Sequence, residues 1–411
     1  MRRQIEGSRA VAETVARCRP AVIPAYPISP QTHIVEALSA MVKAGALAPC
    51  EFINAESEFG AMSLAIGASA MGARTYTATA SQGLLFMVEA VYNAAGLGLP
   101  VVMTVANRAI GAPINIWNDH SDSMSQRDSG WVQLYAESNQ AAVDLHVVAF
   151  RLAEELSMPV MVCMDGFVLT HAVEPVDLPD QSTVDDYLPP YEPRQVLDPA
   201  DPVSIGALVG PEAFTEVRYL AHVRQLDVLR VLPRLADEWA AVSGRRIAAV
   251  EPYHCAGADT VVVALGSVLG TVKDTVDALH DDGVSIGVLG LTAFRPFPTD
   301  QVASALADAS RVVVLERAFA PGVGGIVSAD VRTAVPNLPL YSVVAGLGGR
   351  PVTSASLRTT FLDAVAGRLD DLTFQDLDHD LVDRELGRAQ QKRRSGPVAE
   401  NLLADLRGER R

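Results

Sequence analysis

Short runs rich in apolar and β-branched residues alternate with longer segments of helical spacing in the first part of the chain. The predicted strands are the runs at 21–26, 52–53, 75–80, 101–106 and 160–164. The predicted helices are the segments at 7–18, 34–43, 58–71 and 140–156. Strands that alternate with helices in this way are typical of an α/β domain with a parallel sheet.

The same alternation resumes near Asp259 and predicts a second α/β unit. Its strands are predicted at 260–265, 285–289 and 311–315, and its helices at 268–280 and 299–309. Residues 172–202, which follow the last predicted strand of the first unit, are rich in proline and aspartate and predict an extended connector over the surface. Residues 366–411 are rich in charge and poor in aromatic side chains, so we expect a partly ordered tail there.

Polar side chains collect where the strands of the first unit end. Ser29 lies in a proline-bounded loop, Glu58 follows the run at 52–53, Ser81-Gln82-Gly83 follows 75–80, and Asn107-Arg108 follows 101–106. In an open α/β sheet, ligands bind in the crevice outside the carboxyl ends of the strands. The sequence therefore predicts a site for a polar cofactor or substrate among these loops.

Each of these residues also has a structural alternative. Glu58 could be a helix-start carboxylate that the helix dipole stabilises. Arg108 could pair with Asp119 or Glu89, and Ser81 could be only an N-cap.

Two other features have more than one interpretation. The run Asp119-His120-Ser121-Asp122, within a long loop predicted at 111–130, has metal-ligand residue types, but a structural role is favoured for a single loop. The helix at 58–71 is dense in glycine, alanine and serine. That density indicates the close approach of another backbone or a flat ligand, or equally a tightly packed core helix.

Charge and composition exclude several classes of partner. The 411-residue chain is 49% hydrophobic and carries a net charge of −16, which argues against binding to nucleic acid or to an anionic membrane. The first residues lack the apolar stretch of a secretory signal, and no apolar run is long enough to span a bilayer, so we expect a cytoplasmic protein. The four cysteines lie far apart, without the spacing of a zinc or iron–sulfur site.

A series of longer motifs runs through most of the chain. Its first members are YPISP (26–30), ESE (56–58), TASQGL (79–84), ANRA (106–109), PINIWNDHSD (113–122) and RDSGW (127–131). Its later members are GPE (210–212), EPY (251–253), FRPFP (294–298) and GLGGR (346–350). Together these motifs resemble the alpha subunit of the 2-oxoacid:ferredoxin oxidoreductases, with the pyruvate enzyme as the nearest match.

The resemblance implies a fold and a division into domains. A thiamine-enzyme pyrimidine-binding domain with a parallel sheet is expected at 1–250, a transketolase C-terminal-like α/β domain at 251–365, and a charged tail at 366–411. In this family a separate beta subunit carries Mg²⁺ and the diphosphate end of thiamine diphosphate. The sequence contains no Gly-Asp dipeptide, and hence no Gly-Asp-Gly diphosphate motif.

The resemblance also implies the activity and the partners. The expected reaction is the oxidative decarboxylation of a 2-oxoacid to acyl-CoA and CO₂ with electrons passed to ferredoxin, and the expected 2-oxoacid is pyruvate. The expected partners are the beta subunit and gamma- and delta-type subunits, with [4Fe-4S] clusters on those subunits, as well as coenzyme A and ferredoxin. Alternatives are a branched-chain 2-oxoacid, 2-oxoglutarate or oxalate as substrate, or a non-catalytic scaffold subunit.

By the same resemblance, the site residues take distinct roles. Glu58 matches the carboxylate that hydrogen-bonds the aminopyrimidine ring of the cofactor, and Glu56 is its nearest rival. Ser81, Gln82 and Gly83 match the cofactor-binding loop. Arg108 and Ser29, where threonine is more usual, match the pair that holds the substrate carboxylate, for which a cationic fork and a small donor are suited. No metal ligand is expected on this chain.

Overall fold

The structure is a computed structural model that describes residues 2–202, 204–389, 403, 406 and 407. The strands of the first part are β1 (Arg2–Glu6), β2 (Val22–Ala25), β3 (Glu51–Asn54), β4 (Thr75–Thr79), β5 (Val101–Asn107), β6 (Val132–Tyr135), β7 (Val160–Asp165) and β8 (Val173–Asp177). The remaining strands are β9 (Val250–Tyr253), β10 (Thr260–Leu265), β11 (Ile286–Leu291), β12 (Ala293–Arg295), β13 (Arg311–Glu316), β14 (Phe319–Ala320), β15 (Gly324–Gly325), β16 (Leu340–Val344) and β17 (Leu372–Phe374).

Helices connect most of these strands. The first ones are α1 (Gly7–Arg17), α2 (Thr32–Lys43), α3 (Glu58–Ala70), α4 (Ser81–Phe86), α5 (Val88–Gly96), α6 (Ser121–Met124), α7 (Asn139–Leu156) and α8 (Gln181–Tyr187). The later ones are α9 (Phe214–Ser243), α10 (Val268–Asp281), α11 (Thr299–Ala305), α12 (Ile326–Ala334), α13 (Ser354–Val365) and α14 (His379–Ala389), with one 3₁₀ turn at Leu347–Gly349.

Two mainly parallel sheets organise these elements. The first has the strand order β12-β6-β7-β5-β4-β2-β3, in which only β12 is antiparallel to its neighbour. The second has the order β17-β16-β13-β10-β11-β9, with β9 antiparallel. The central strands β4, β5 and β7 are buried along their whole length. Continuous burial of this kind is expected for parallel strands covered on both faces, and it explains why these strands are rich in apolar and β-branched residues.

The two sheets share a hydrophobic core. One cluster of buried side chains contains Met103 and Val105 of the first sheet together with Val261 and Val263 of the second. Strand β12, which follows the second unit's β11, pairs with β6 and so completes the first sheet. Among the described residues, no helix is both long enough and apolar enough to cross a membrane.

The predicted strands match β2, β3, β4, β5 and β7 of the first sheet and β10, β11 and β13 of the second, whereas β6, β9, β12 and β16 were not predicted. Three longer segments also differ. The predicted extended connector at 172–202 contains β8, which pairs with β1, and helix α8. The predicted tail at 366–411 contributes β17 to the second sheet and continues as α14, while its residues 390–402 lie outside the described part. The 30-residue helix α9 was not predicted, because apolar residues lie on its exposed face as well as on its buried face and so obscure the helical spacing.

Candidate active site

Glu58 lies at the first position of α3, directly after the carboxyl end of β3. The hydroxyl of Ser57 caps this helix by accepting a hydrogen bond from the Gly60 backbone N–H at 3.0 Å. The predicted helix-start position of Glu58 is therefore correct. Glu58 is also buried, with only 7% of its surface exposed. Within the described part of the chain, no group donates a hydrogen bond to its carboxylate. Glu56, by contrast, is exposed.

Gly83 of α4 faces the Glu58 carboxylate. A Cβ atom at position 83 would come within 2.6 Å of Glu58 Oε1 and 2.7 Å of Thr79 Oγ1. Only a residue without a side chain fits between β4 and this carboxylate. The close approach joins two of the residues that the sequence predicts for cofactor binding.

Ser81 is buried and holds the turn from β4 into α4. Its φ of 51° lies in the left-handed region, which is uncommon for a residue with a side chain. Its hydroxyl donates to the carbonyl oxygen of Ala109, while the N-cap of the helix is Ala80. The N-cap alternative for Ser81 is therefore wrong. Its neighbour Gln82 is half-buried and donates through Nε2 to the carbonyl of Gly111 at 3.3 Å.

Asp122 connects the carboxyl ends of β4 and β5 through hydrogen bonds. Its carboxylate accepts the backbone N–H of Ser81 at 2.9 Å and that of Arg108 at 3.0 Å on one oxygen. The other oxygen accepts from Asn107 Nδ2 and from the Ser123 N–H, both at 2.8 Å. Burial raises the pKa of Asp122 to about 6, although these donors oppose the shift. The four donors explain the acidic residue in this loop as a structural anchor.

Arg108 lies beside Ser29, the residue with which the resemblance pairs it. Arg108 Nη1 donates to the Ser29 carbonyl oxygen at 2.9 Å, and Nε faces the Asn115 carbonyl oxygen at 3.3 Å. Neither Asp119 nor Glu89 forms an ion pair with Arg108 within the described chain, so that alternative is wrong. Nη2 has no partner among the described groups, and the Ser29 side chain is exposed. An unpaired guanidinium N–H beside a free hydroxyl can bind a carboxylate.

A buried charged network joins the strand ends of the two sheets. Asp165, which ends β7, contacts His120 Nε2 at 2.6 Å, accepts from Arg317 Nη1 at 2.8 Å and accepts from the Ser267 N–H at 3.0 Å. Burial by itself raises the pKa of Asp165, but the adjacent His120 and Arg317 outweigh burial and hold the pKa well below its ordinary value. Ser267 follows β10 and Arg317 follows β13, so the carboxyl ends of the two sheets face each other here.

The loop after Arg108 also contacts the second unit. Gly349 donates its backbone N–H to the Asn118 carbonyl at 2.8 Å, and Asn115 Nδ2 donates to the Gly348 carbonyl at 3.2 Å. Gly349 has a φ of +80°, and a Cβ there would collide with Trp117. The GLGGR motif therefore allows this close approach.

Sequence reasoning missed the roles of Asp122, Asp165 and Arg317. Asp122 and His120 were recognised as a polar cluster, but metal binding and structure could not be separated from a single loop. Asp165 and Arg317 each stand at the end of a buried strand, which is the signal that identified Arg108. Among the described residues, the Asp119–Asp122 run forms no cluster of potential metal ligands. The four cysteines are separate thiols, as expected.

Comparison with protein families gives two matches along the chain. Residues 13–230 match the family described as pyruvate flavodoxin/ferredoxin oxidoreductase, thiamine diphosphate-binding. Residues 258–357 match core domain II of pyruvate:ferredoxin oxidoreductase.

Curated relatives match over nearly their whole length. Pyruvate synthase subunit PorA of Methanosarcina barkeri is 45% identical over 92% of this chain and 97% of its own. Ketoisovalerate oxidoreductase subunit VorA of Pyrococcus horikoshii is 36% identical over 90% of this chain and 96% of its own.

Two solved structures share the fold at low identity. A 2-oxoglutarate:ferredoxin oxidoreductase from Magnetococcus marinus has a TM-score of 0.64 at 17% identity, covering 88% of this chain and 65% of that chain. A split-gene transketolase has a TM-score of 0.53 at 14% identity, covering 89% of this chain and 99% of that chain. The expected fold class, a thiamine-enzyme α/β domain followed by a transketolase C-terminal-like domain, is confirmed.

Proposed function

The chain belongs to the pyruvate flavodoxin/ferredoxin oxidoreductase family, and we propose that it is the alpha subunit of a thiamine diphosphate-dependent 2-oxoacid:ferredoxin oxidoreductase that acts on pyruvate. The observation that carries the proposal is the buried Glu58 carboxylate, which faces Gly83 and receives no hydrogen bond from any described group. A structural carboxylate at this depth is normally paired or hydrogen-bonded, because burying an unpartnered charge costs free energy. A ligand that donates to Glu58 would remove that cost.

The residues of this crevice fit the aminopyrimidine part of thiamine diphosphate. Glu58 would hydrogen-bond the ring, and the space kept open by Gly83 admits a flat group against the carboxylate. When bound, thiamine diphosphate supplies a carbon nucleophile for the 2-oxo carbon of the substrate. Glu58 would contribute by holding a proton at the ring nitrogen, the role of a general acid–base group. Ser81 and Gln82 would keep α4 in register beside the ring through their bonds to Ala109 and Gly111.

Arg108 and Ser29 would hold the substrate carboxylate. Two backbone carbonyls fix the guanidinium of Arg108, so that its remaining N–H groups point in a defined direction. The exposed hydroxyl of Ser29 can donate to the second carboxylate oxygen. A fixed cationic fork is suited to orienting a small anion.

The surface around Glu58 has the exposed apolar side chains expected of a binding surface for a partner chain. Phe59 and Leu64 on α3, and Phe86 and Tyr92 on the neighbouring helices, are all exposed large side chains. An exposed apolar group of this kind marks a protein interface. Small residues on the outer face of α3, such as Ser63 and Gly67, are also exposed, so tight core packing does not explain them.

The proposed partner is a beta subunit that carries Mg²⁺ and the diphosphate end of the cofactor. Gamma- and delta-type subunits with [4Fe-4S] clusters would pass the electrons to ferredoxin, and coenzyme A would accept the acyl group. The domain bounds at 250 and 365 and the cytoplasmic location remain predictions.

The proposal is tested on the complex purified with its partner subunits. Coenzyme A-dependent reduction of a low-potential dye is measured with pyruvate, 2-oxoisovalerate, 2-oxoglutarate and oxalate, and we expect the highest kcat/KM for pyruvate. A preference for 2-oxoisovalerate would favour the branched-chain alternative, which the similarity to a ketoisovalerate oxidoreductase subunit makes the second candidate. An assembled complex whose activity survives loss of both Glu58 and Arg108 would identify this chain as a scaffold.

A further inference from the structure

Two histidines and one glutamate converge on the surface outside the Glu58 crevice. Glu6 ends β1, His33 lies in the first turn of α2, and His171 follows β7. One potential ligand atom from each lies within 4.8 Å of the other two, and within the described part of the chain this is the only such cluster. The three residues come from three separate segments, so the fold, and not local sequence, brings them together.

The spacing of the three side chains approaches that of a metal site. His33 Nδ1 and Glu6 Oε1 are 2.6 Å apart, and the rings of His33 and His171 have centroids 4.7 Å apart. Around a tetrahedral ion with bond lengths near 2.1 Å, ligand atoms are separated by about 3.4 Å. Small side-chain rotations would lengthen the 2.6 Å separation between His33 Nδ1 and Glu6 Oε1 and shorten the separations of up to 4.8 Å among the ligand atoms. Room for such rotations exists because His33 is exposed and Glu6 and His171 are only half-buried.

Contacts with Thr170 and Phe167 fix the orientation of the His171 ring. Its Nδ1 lies 2.7 Å from the hydroxyl of Thr170, which is buried and accepts the backbone N–H of Phe167 at 2.8 Å. The Phe167 ring contacts the His171 ring at 4.8 Å. Metal-binding histidines typically have their second ring nitrogen held in this manner. Nε2 of His171 has no partner among the described groups and is left for a ligand.

We propose that Glu6, His33 and His171 bind one divalent transition-metal ion, with Zn²⁺ as the representative. Two imidazoles and one carboxylate suit zinc and neighbouring first-row ions and not Mg²⁺ or Ca²⁺, which prefer oxygen ligands. Water would fill the open position, because the site faces solvent. The ion would join β1 and α2 to the segment after β7, and the proposal does not depend on the proposed enzymatic function.

The test is zinc titration of the full chain by calorimetry after removal of metal with a chelator. We expect one Zn²⁺ per chain, and His33→Ala and His171→Ala should each weaken binding by about 100-fold or abolish it, since even residues behind the ligands cost roughly 10- to 100-fold. Glu6→Gln, which keeps the shape but removes the charge, should also weaken binding. His222→Ala is the matched control, because His222 is exposed on α9, away from the cluster.

Two further measurements separate loss of a ligand from loss of the fold. The metal-free variants should unfold at the same temperature as the metal-free wild type, and only the wild type and His222→Ala should be stabilised by added Zn²⁺. X-ray absorption at the zinc edge should show two imidazoles. Equal zinc affinity in the wild type, His33→Ala and His171→Ala would overturn the proposal, as would an absorption spectrum without histidine ligands.

Discussion

Gly83 and Glu58 approach so closely that a methyl group on Gly83 would lie 2.6 Å from the Glu58 carboxylate oxygen. The glycine lies in α4, which follows β4, and the glutamate begins α3, which follows β3; these two strands are separated in the sheet only by β2. The contact joins the predicted cofactor loop to the predicted catalytic carboxylate, and it gives the first testable prediction.

Gly83→Ala should displace Glu58 while leaving its charge in place. We expect a loss of thiamine diphosphate-dependent activity of roughly tenfold or more, because a displacement near 1 Å at a reacting group costs up to about 10²-fold. Gly270→Ala on α10 is the matched control, since Gly270 is exposed outside the site and no atom lies within 4 Å of the added methyl group. The control should keep full activity and unfold at a slightly higher temperature, because alanine stabilises a helix by about 0.5 to 1 kcal/mol relative to glycine. Equal activity of both variants would contradict the proposed role of the contact.

Glu58→Gln should leave the complex assembled but slow the loss of the C2 proton of bound thiamine diphosphate. The expected reduction is roughly 10²- to 10⁴-fold, the range for general acid–base groups. Hydrogen–deuterium exchange at C2, followed by quenched-flow NMR, measures this step directly. Glu56→Gln is the comparison, because Glu56 is exposed and two residues away. Should Glu56→Gln slow the exchange and Glu58→Gln not, the two assignments are reversed.

Arg108→Ala should lower kcat/KM for the 2-oxoacid by roughly ten- to a few hundredfold, because a charge-assisted contact contributes about 1.5 to 3 kcal/mol. Arg108→Lys should recover little, since an ammonium lacks the planar fork that contacts the carbonyls of Ser29 and Asn115. Ser29→Ala should cost less, about 0.5 to 1.5 kcal/mol. Steady-state kinetics are compared with cofactor titration for all three variants. Weaker cofactor binding with an unchanged KM for the oxoacid would make Arg108 a cofactor residue.

Asp165→Asn should destabilise the contact between the two sheets. The substitution leaves His120 and Arg317 without their shared carboxylate, and breaking a buried ion pair costs about 3 to 5 kcal/mol. Chemical denaturation of the full chain measures the loss, with Asp128→Asn as the exposed control. A change below about 1 kcal/mol, the usual limit for surface ion pairs, would show that this network does not hold the sheets together.

Protonation of His146 should reduce stability as the pH is lowered from 6.5 towards 4, whereas Asp122, whose pKa burial raises to about 6, contributes in the opposite direction. Burial lowers the pKa of His146 from 6.5 to about 4, and its Nε2 lies 2.6 Å from the Thr104 hydroxyl, which contacts Tyr76. Between these two pKa values the unfolded chain binds a proton that the folded chain does not, so the free energy of unfolding decreases by up to about 3 kcal/mol. The contribution is fully present above pH 6.5.

His146→Gln removes this titration, so the free energy of unfolding of the wild type relative to His146→Gln should fall by up to about 3 kcal/mol between pH 6.5 and 4. The amide can still occupy a place between Thr104 and the Ala142 carbonyl, which His146 Nδ1 contacts at 2.6 Å. His222→Gln, on an exposed part of α9, should leave the wild-type slope intact. A constant difference between the wild type and His146→Gln over this pH range would contradict the role of His146.

The sequence by itself determined the alternation of strands and helices and the residues at the strand ends. Strand β10 was predicted with its observed bounds and β5 within one residue, because parallel strands buried on both faces leave runs that are rich in apolar and β-branched residues. Helix α3 was also predicted within one residue. The same rule for strand ends identified Glu58, Ser81 and Arg108, since the parallel direction of the strands gathers their carboxyl ends at one edge.

Only the tertiary structure decided which of these side chains meet and what the others do. Local spacing could not show that Asp122 binds the backbone of two strand ends, or that Asp165 meets Arg317, which is 152 residues away in the chain. It also could not place Glu6 beside His33 and His171. A motif reports the chemistry available at one point of the chain, whereas distances between distant points depend on how the sheets and helices pack.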